Sequence, residues 1–135
     1  MRAITIAAIA IAFVGCCNAA SSEVWAYCHA ERARCTPRGA GACDDPQFLP
    51  NTARFFVPAF VTQDTSGARE DEAARDKLLT LVIQRTGLRN NWRETPREYW
   101  VAHCPKGQRV LIEGWANQLR WGQGYTEVRP AELGY

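Results

Sequence analysis

The sequence predicts a small single-domain α+β sandwich of order β-β-α-β-α-β, stapled by disulfides, with its helices packed on one face of a sheet. Three observations support this fold class. Apolar stretches of strand length alternate with two stretches whose apolar residues repeat at helical spacing. Six cysteines in 135 residues indicate disulfide bonds and an oxidising compartment. A charged content of 22% is ordinary for a globular domain and does not indicate disorder.

The first 20 residues are typical of a signal peptide. A positively charged start precedes an uncharged run that is too short to span a bilayer. The segment ending at Cys16 resembles a bacterial lipobox, in which that cysteine is lipidated. Alternatively, signal peptidase cuts after Ala19 or Ala20. In both cases residues 21–135 are expected to form one exported domain, either free in the periplasm or anchored to the membrane as a lipoprotein.

Two strands are expected in the first half of the chain. Residues 24–29 combine aromatic and β-branched side chains with small ones, which favours a strand. Residues 30–50 are rich in Gly and Pro and predict a long loop. Residues 53–62 are again apolar and aromatic. Because Pro58 cannot donate to a strand ladder, this second strand is expected at a sheet edge or with a bulge.

Residues 69–86 give the clearest helix. Acidic residues occupy its first turn and Arg85 its last, which suits the helix dipole. Ser66 is the expected N-cap, and Gly87 is expected to end the helix. The apolar residues that share one face are Ala74, Leu78, Leu81 and Val82.

The second half of the chain predicts a strand, a helix and a strand. Residues 99–104 are apolar and aromatic and lie between turn-forming residues, which indicates a buried strand. Residues 108–122 favour a helix, with Leu111, Trp115 and Leu119 on one face and Trp121 beside it, although residues 110–112 are also compatible with a strand. A short strand is expected over residues 125–129.

Four cysteines, Cys28, Cys35, Cys43 and Cys104, lie outside the leader and permit three pairings. If residues 24–29 and 99–104 were antiparallel with Cys28 opposite Cys104, the two strands would hardly overlap. A parallel arrangement overlaps fully, so we expect parallel neighbours bridged by Cys28–Cys104. A Cys35–Cys43 bridge would then close the Gly-rich part of the loop.

A metal site is not expected. Cys28, His29, His103 and Cys104 contain ligand types, but their spacing has no CxxC or HxxxH character. The parallel register would also set His29 and His103 two residues out of step. The preferred interpretation is one disulfide flanked by two partly exposed imidazoles, with no metal and no cofactor.

Catalytic motifs are equally scarce. The few serines lie in no Gly-x-Ser-x-Gly elbow. Carboxylates are plentiful, and an envelope hydrolase using a carboxylate pair stays an alternative, although no spacing singles out two of them. The carboxylates considered are Asp44, Asp45, Glu94, Glu98 and Glu113. A net charge of +2 is too small to indicate nucleic acid binding.

The remaining candidate is a binding surface. Arg89, Trp92, Arg93 and Arg97 place a Trp among arginines in one loop, and these residue types dominate interface hot spots. Alternatively, Trp92 packs onto the sheet and the arginines are only solvated. We therefore expect a non-catalytic binding, inhibitor or immunity-type module with a protein partner in the bacterial envelope, touching the membrane only through a lipid anchor. A structural envelope lipoprotein without a discrete ligand is the further alternative.

Overall fold

The computed structural model describes residues 23–35, 47–49, 52–87, 97–122 and 124–135. These residues form a mixed α/β domain with a six-stranded sheet and two α-helices. The strands are β1 (Trp25–Cys35), β2 (Gln47–Phe48), β3 (Phe55–Val61), β4 (Arg97–His103), β5 (Lys106–Gly107) and β6 (Thr126–Glu127). The helices are α1 (Glu72–Thr86) and α2 (Arg109–Gly122), and a 3-10 helix (Pro130–Leu133) follows β6. The two-residue strands β2 and β5 are additions to the predicted order.

Strand β1 is the centre of the sheet. Along one edge it pairs antiparallel with β3 and then with β2. Along the other edge it pairs antiparallel with β5 and then with β4. Strand β6 pairs parallel with β3 and extends the sheet on that side.

The prediction that the two cysteine-bearing strands run parallel is wrong. β1 and β4 are antiparallel, in a register that runs from His29 opposite His103 to Cys35 opposite Arg97. The reason is the length of β1, which continues to Cys35 through residues that were expected to open a loop. These additional residues supply the overlap that the antiparallel register needs.

Strand β3 confirms the expectation attached to Pro58. The register between β1 and β3 shifts between Ala26 and Cys28. Tyr27 on β1 therefore faces two residues of β3, Pro58 and Ala59. This bulge accommodates a residue that lacks a backbone N–H.

Helix α1 confirms the predicted helix but begins at a different cap. Asp71, and not Ser66, is the N-cap, because its Oδ1 accepts a hydrogen bond from the Ala74 amide at 3.0 Å. The Asp71 carboxylate is buried and also accepts a hydrogen bond from the Thr62 hydroxyl. At the other end Gly87 adopts φ 68°, which favours glycine, and caps the helix as predicted.

The two helices lie on opposite faces of the sheet, so the prediction of one shared face is wrong. Successive side chains of a strand point to opposite faces. Ala26, Cys28 and Ala30 of β1 belong to the core that contains α1, whereas Tyr27 packs with α2. Because β1 is central, it needs cover on both sides. The α1 core also contains Leu78, Val82, Phe55, Val57, Phe60, Trp100, Ala102 and Val128.

Residues 108–122 confirm the preferred helix, but only Leu119 of the expected face packs against the sheet. Ile112 and Ala116 pack against the sheet. Leu111 and Trp115 are instead partly exposed, and Trp121 is 82% exposed. α2 therefore presents a second apolar face to solvent.

The disulfide between Cys28 and Cys104 is confirmed, with an S–S distance of 2.08 Å. It lies within the α1 core and links β1 to the end of β4. Cys35 is also disulfide-bonded, whereas its expected partner Cys43 lies outside the described residues. The leader, including Cys16, lies outside them as well. Among the described helices, neither has the length and apolar character that crossing a bilayer requires.

Candidate functional site

A cavity of about 320 Å³ opens on the face of the sheet that α2 partly covers. It lies beside the central strand, where β1, β4, β6 and the segment around β2 approach one another. Its walls combine imidazoles, a carboxylate, a phenol, a guanidinium and an apolar ring. These side chains are His29, Glu31, His103, Tyr125, Arg54 and Phe48.

The two histidines of the chain meet in this cavity. His29 and His103 are direct partners in the antiparallel register of β1 and β4. Their ring centroids are 5.5 Å apart, with an angle of 39° between the ring planes. The prediction that they lie two residues out of step is therefore wrong, and the cause is the antiparallel direction of β4. We call these two residues the histidine pair.

Each imidazole is held by its own carboxylate. His29 Nδ1 lies 2.7 Å from Glu31 Oε1, and His103 Nδ1 lies 3.0 Å from Glu70 Oε1. An ionised carboxylate only accepts hydrogen bonds, so Nδ1 carries the proton in both rings. In the neutral imidazole Nε2 is then the nitrogen that accepts a proton. Glu70 is itself positioned, because its Oε1 also accepts a hydrogen bond from the Cys104 amide at 3.1 Å.

Glu31 is the most enclosed of these carboxylates, with 14% of its side chain exposed. Burial by itself raises the pKa of Glu31. Hydrogen bonds from His29 and Tyr125, together with the charges of the histidine pair, outweigh burial and hold that pKa below its ordinary value. Glu31 therefore stays ionised and fixes the position of His29.

Two tyrosines complete the environment of His29. The Tyr125 hydroxyl donates to Glu31, and burial together with this hydrogen bond raises the pKa of Tyr125. The ring of Tyr27 stacks on His29 with centroids 5.9 Å apart. Burial, followed by the charge of Glu31, raises the pKa of Tyr27. Both phenols therefore stay neutral near pH 7.

The outer part of the cavity adds a permanent charge and an apolar surface. The Arg54 guanidinium lies over the ring of Tyr125, 5.8 Å from its centroid. Phe48 of β2 is 58% exposed and forms an apolar wall. The cavity thus offers hydrogen-bond donors and positive charge beside a surface on which an apolar group can pack.

The residues predicted for binding do not contribute to this cavity within the described part of the chain. Arg89, Trp92 and Arg93 lie outside the described residues, so their role stays a prediction. Arg97 is the first residue of β4, is only partly exposed and pairs with Cys35. It is not a wall of the histidine cavity.

The carboxylates considered as a hydrolytic pair do not meet in the described residues. Glu98 forms ion pairs with Arg32 and Arg34. Glu113 forms an exposed ion pair with Arg109 on α2. The other three carboxylates, Asp44, Asp45 and Glu94, lie outside the described residues.

Sequence reasoning missed Glu31, Arg54, Glu70 and Tyr125. They are distant in the chain, and only the register of the sheet brings them to the histidine pair. The one available signal was the symmetry of Cys28-His29 and His103-Cys104, which places the histidines opposite each other once an antiparallel register is adopted. Among the described residues, no group of three or more His, Cys, Asp or Glu side chains has an arrangement that could hold a metal ion.

Comparison of the chain with protein-family models, with curated proteins and with solved structures finds no match.

Proposed function

We propose that this domain is a binding module of the bacterial envelope that holds an acidic group of its partner in the histidine cavity. The observation that supports this function is the convergence of the histidine pair and Arg54 on one cavity. The envelope setting follows from the signal-peptide pattern and the cysteines, and it is part of the proposal.

The charges of the walls favour an anionic ligand. Arg54 carries a permanent positive charge, and each imidazole adds one when it is protonated. The negative charge of Glu31 is already engaged by His29 and Tyr125. A carboxylate or phosphate would therefore meet the Arg54 guanidinium and, when the imidazoles are protonated, their Nε2–H donors.

The apolar wall determines what the acidic group is attached to. Phe48 is exposed at the mouth of the cavity. Burying an apolar or aromatic part of the ligand against this ring would remove it from water. A protein partner could supply both parts, because an acidic side chain and an apolar neighbour are ordinary components of an interface.

Phenyl phosphate tests this proposal, since it joins an anion to an aromatic ring. We expect saturable binding to the mature domain, with the ring C–H signals of the histidine pair shifting together in NMR spectra. Arg54→Gln should weaken binding about tenfold or more, because a charged hydrogen bond is worth about 1.5–3 kcal/mol. The matched control is Arg109→Gln on α2, which removes an exposed guanidinium in an ion pair with Glu113.

Two results would contradict the proposal. One is binding that is equally weakened by the Arg54 and Arg109 substitutions, which would indicate attraction by net charge alone. The other is the absence of any histidine shift at saturating phenyl phosphate. Thermal melting of both variants distinguishes lost binding from lost folding.

A further inference from the structure

We propose that the histidine cavity hydrolyses phosphodiesters by general acid–base catalysis, with His29 and His103 as the two proton-transferring groups. This inference rests on the proposed function, because it assigns a substrate class and a reaction to the same anion-binding site. The geometry of the histidine pair supports it, and the chemistry follows from that geometry in three steps.

The first step is the orientation of the imidazoles. Each ring has Nδ1 on a carboxylate, at 2.7 Å for Glu31 and 3.0 Å for Glu70. A carboxylate in this position fixes the tautomer and stabilises the imidazolium that forms when Nε2 accepts a proton. This is the arrangement by which a histidine acts as a general base.

The second step is the pairing of the two rings. Acid–base hydrolysis needs one group that accepts a proton and one that donates a proton, both within reach of the same substrate. With centroids 5.5 Å apart, the two rings can contact one phosphoryl group together.

The third step is the choice of substrate. The described walls of the cavity contain no serine, threonine or cysteine that could form a covalent intermediate. Direct attack by water on an ester is the reaction that two imidazoles can support without a nucleophilic side chain. Arg54 provides a countercharge for an anionic ester, which favours a phosphodiester over a neutral carboxylic ester. Phe48 can pack against an aromatic or nucleoside substituent.

The reaction balances with water as the only co-reactant. The neutral imidazole removes a proton from water as the water oxygen forms a bond to phosphorus. The bond between phosphorus and the leaving oxygen breaks, and the imidazolium gives its proton to that oxygen. One water is consumed, and an acyclic diester gives one alcohol and one phosphomonoester; in a cyclic diester the same cleavage opens the ring, and both groups stay in one product. Proton exchange with solvent then restores the starting protonation of the pair.

Two substrates with different leaving groups test the assignment. The leaving oxygen of uridine 2′,3′-cyclic phosphate is an alkoxide, which must be protonated as the bond breaks. The leaving group of bis(p-nitrophenyl) phosphate is a stable phenolate, which needs almost no protonation. We expect turnover of both by the mature domain, with a bell-shaped pH dependence of kcat/KM. His29→Gln and His103→Gln should each lower kcat about 10²–10⁴-fold on the cyclic phosphate.

The comparison between substrates identifies the roles. The variant that lacks the general acid should lose much less activity on bis(p-nitrophenyl) phosphate than on the cyclic phosphate. The variant that lacks the general base should lose similar factors on both. The kcat of the double variant should be only slightly below that of the less active single variant, because the pair acts as a unit. Glu113→Gln, a surface substitution on α2, should retain full activity.

Specific outcomes overturn the inference and separate it from the proposed function. Saturable phenyl phosphate binding without any turnover would refute catalysis and leave the binding function in place. Absence of both would refute both. Turnover near the wild-type rate in the double histidine variant would show that another site or a contaminating enzyme is responsible, which also overturns the assignment.

Discussion

The disulfide between Cys28 and Cys104 should supply a large part of the stability of the domain. The two cysteines are 76 positions apart in the chain. In the chain-entropy model, cross-linking a loop of this length lowers the entropy of the unfolded chain enough to stabilise the fold by about 4.5 kcal/mol. Small domains have a total free energy of unfolding of about 5–15 kcal/mol. We therefore expect the bridge to account for about 30% or more of the total.

The double substitution Cys28→Ala and Cys104→Ala measures this contribution. Alanine suits these fully buried positions, since it introduces no unsatisfied polar group. Urea denaturation should show a free energy of unfolding lower by about 4–5 kcal/mol. The melting temperature should fall by about 15–20 °C.

The wild-type protein in dithiothreitol is the matched control, because reduction breaks the same bridge without changing the sequence. It should be at least as destabilised as the double variant, and any additional loss reports the bond at Cys35. A double variant that unfolds at the same urea concentration as the oxidised wild type would refute the reasoning. A free thiol at either position in the unreduced protein would do so as well.

Three further predictions follow from single contacts. Leu78→Ala should lower the free energy of unfolding, measured by urea denaturation, by about 3 kcal/mol, because Leu78 is fully buried against the sheet. Asp71→Ala should lower the free energy of unfolding by about 2 kcal/mol, because it removes the acceptor of the Ala74 amide and leaves the buried Thr62 hydroxyl without its acceptor. The melting temperature of this variant, followed by circular dichroism, should be lower than that of the wild type. An unchanged melting temperature would contradict the assignment of Asp71 as the N-cap. Glu31→Gln should destabilise the domain at neutral pH. The pKa of Glu31 is lowered in the folded state, so its stabilisation is present above about pH 4.5 and is lost as the pH falls through the folded pKa. The difference in melting temperature between wild type and Glu31→Gln should therefore shrink in acid, and a constant difference from pH 7 to pH 3 would exclude this origin.

Elements with a strong periodic signal were predictable from the sequence. Helix α1 follows from the spacing of Ala74, Leu78 and Val82 and from the glycine that ends it. The aromatic strand β4 follows from its composition and its flanking turns. In both cases the local preference and the tertiary packing favour the same structure.

The second half of β1 was not predictable in this way. It contains alanine, glutamate and arginine, which have low strand propensity. These residues form a strand because β2 and β4 pair with them and because the Arg32 guanidinium is covered by Trp100 and Glu98. Tertiary contacts of this kind override local propensity. The error over this segment led directly to the wrong strand direction.

The candidate site was missed for the same reason. Its residues come from β1, β2, β4 and the segments that precede β3, α1 and β6, and they form no local motif. The N-cap of α1 illustrates the same limit at smaller scale. Ser66 and Asp71 both have capping side chains, and only the buried hydrogen bond with Thr62 distinguishes them.

The central position of β1 has a consequence for how the chain folds during synthesis. β1 is among the first parts of the described domain to leave the ribosome. Gly107, which pairs with Trp25 at the start of β1, leaves it far later. Until then the edge of β1 that pairs with β4 and β5 carries unpaired backbone groups, which is the condition that promotes association between chains. Contacts of such long sequence separation also slow folding. The domain should therefore fold only after most of it has been released, and holding the nascent chain apart from its neighbours should raise the yield of native protein.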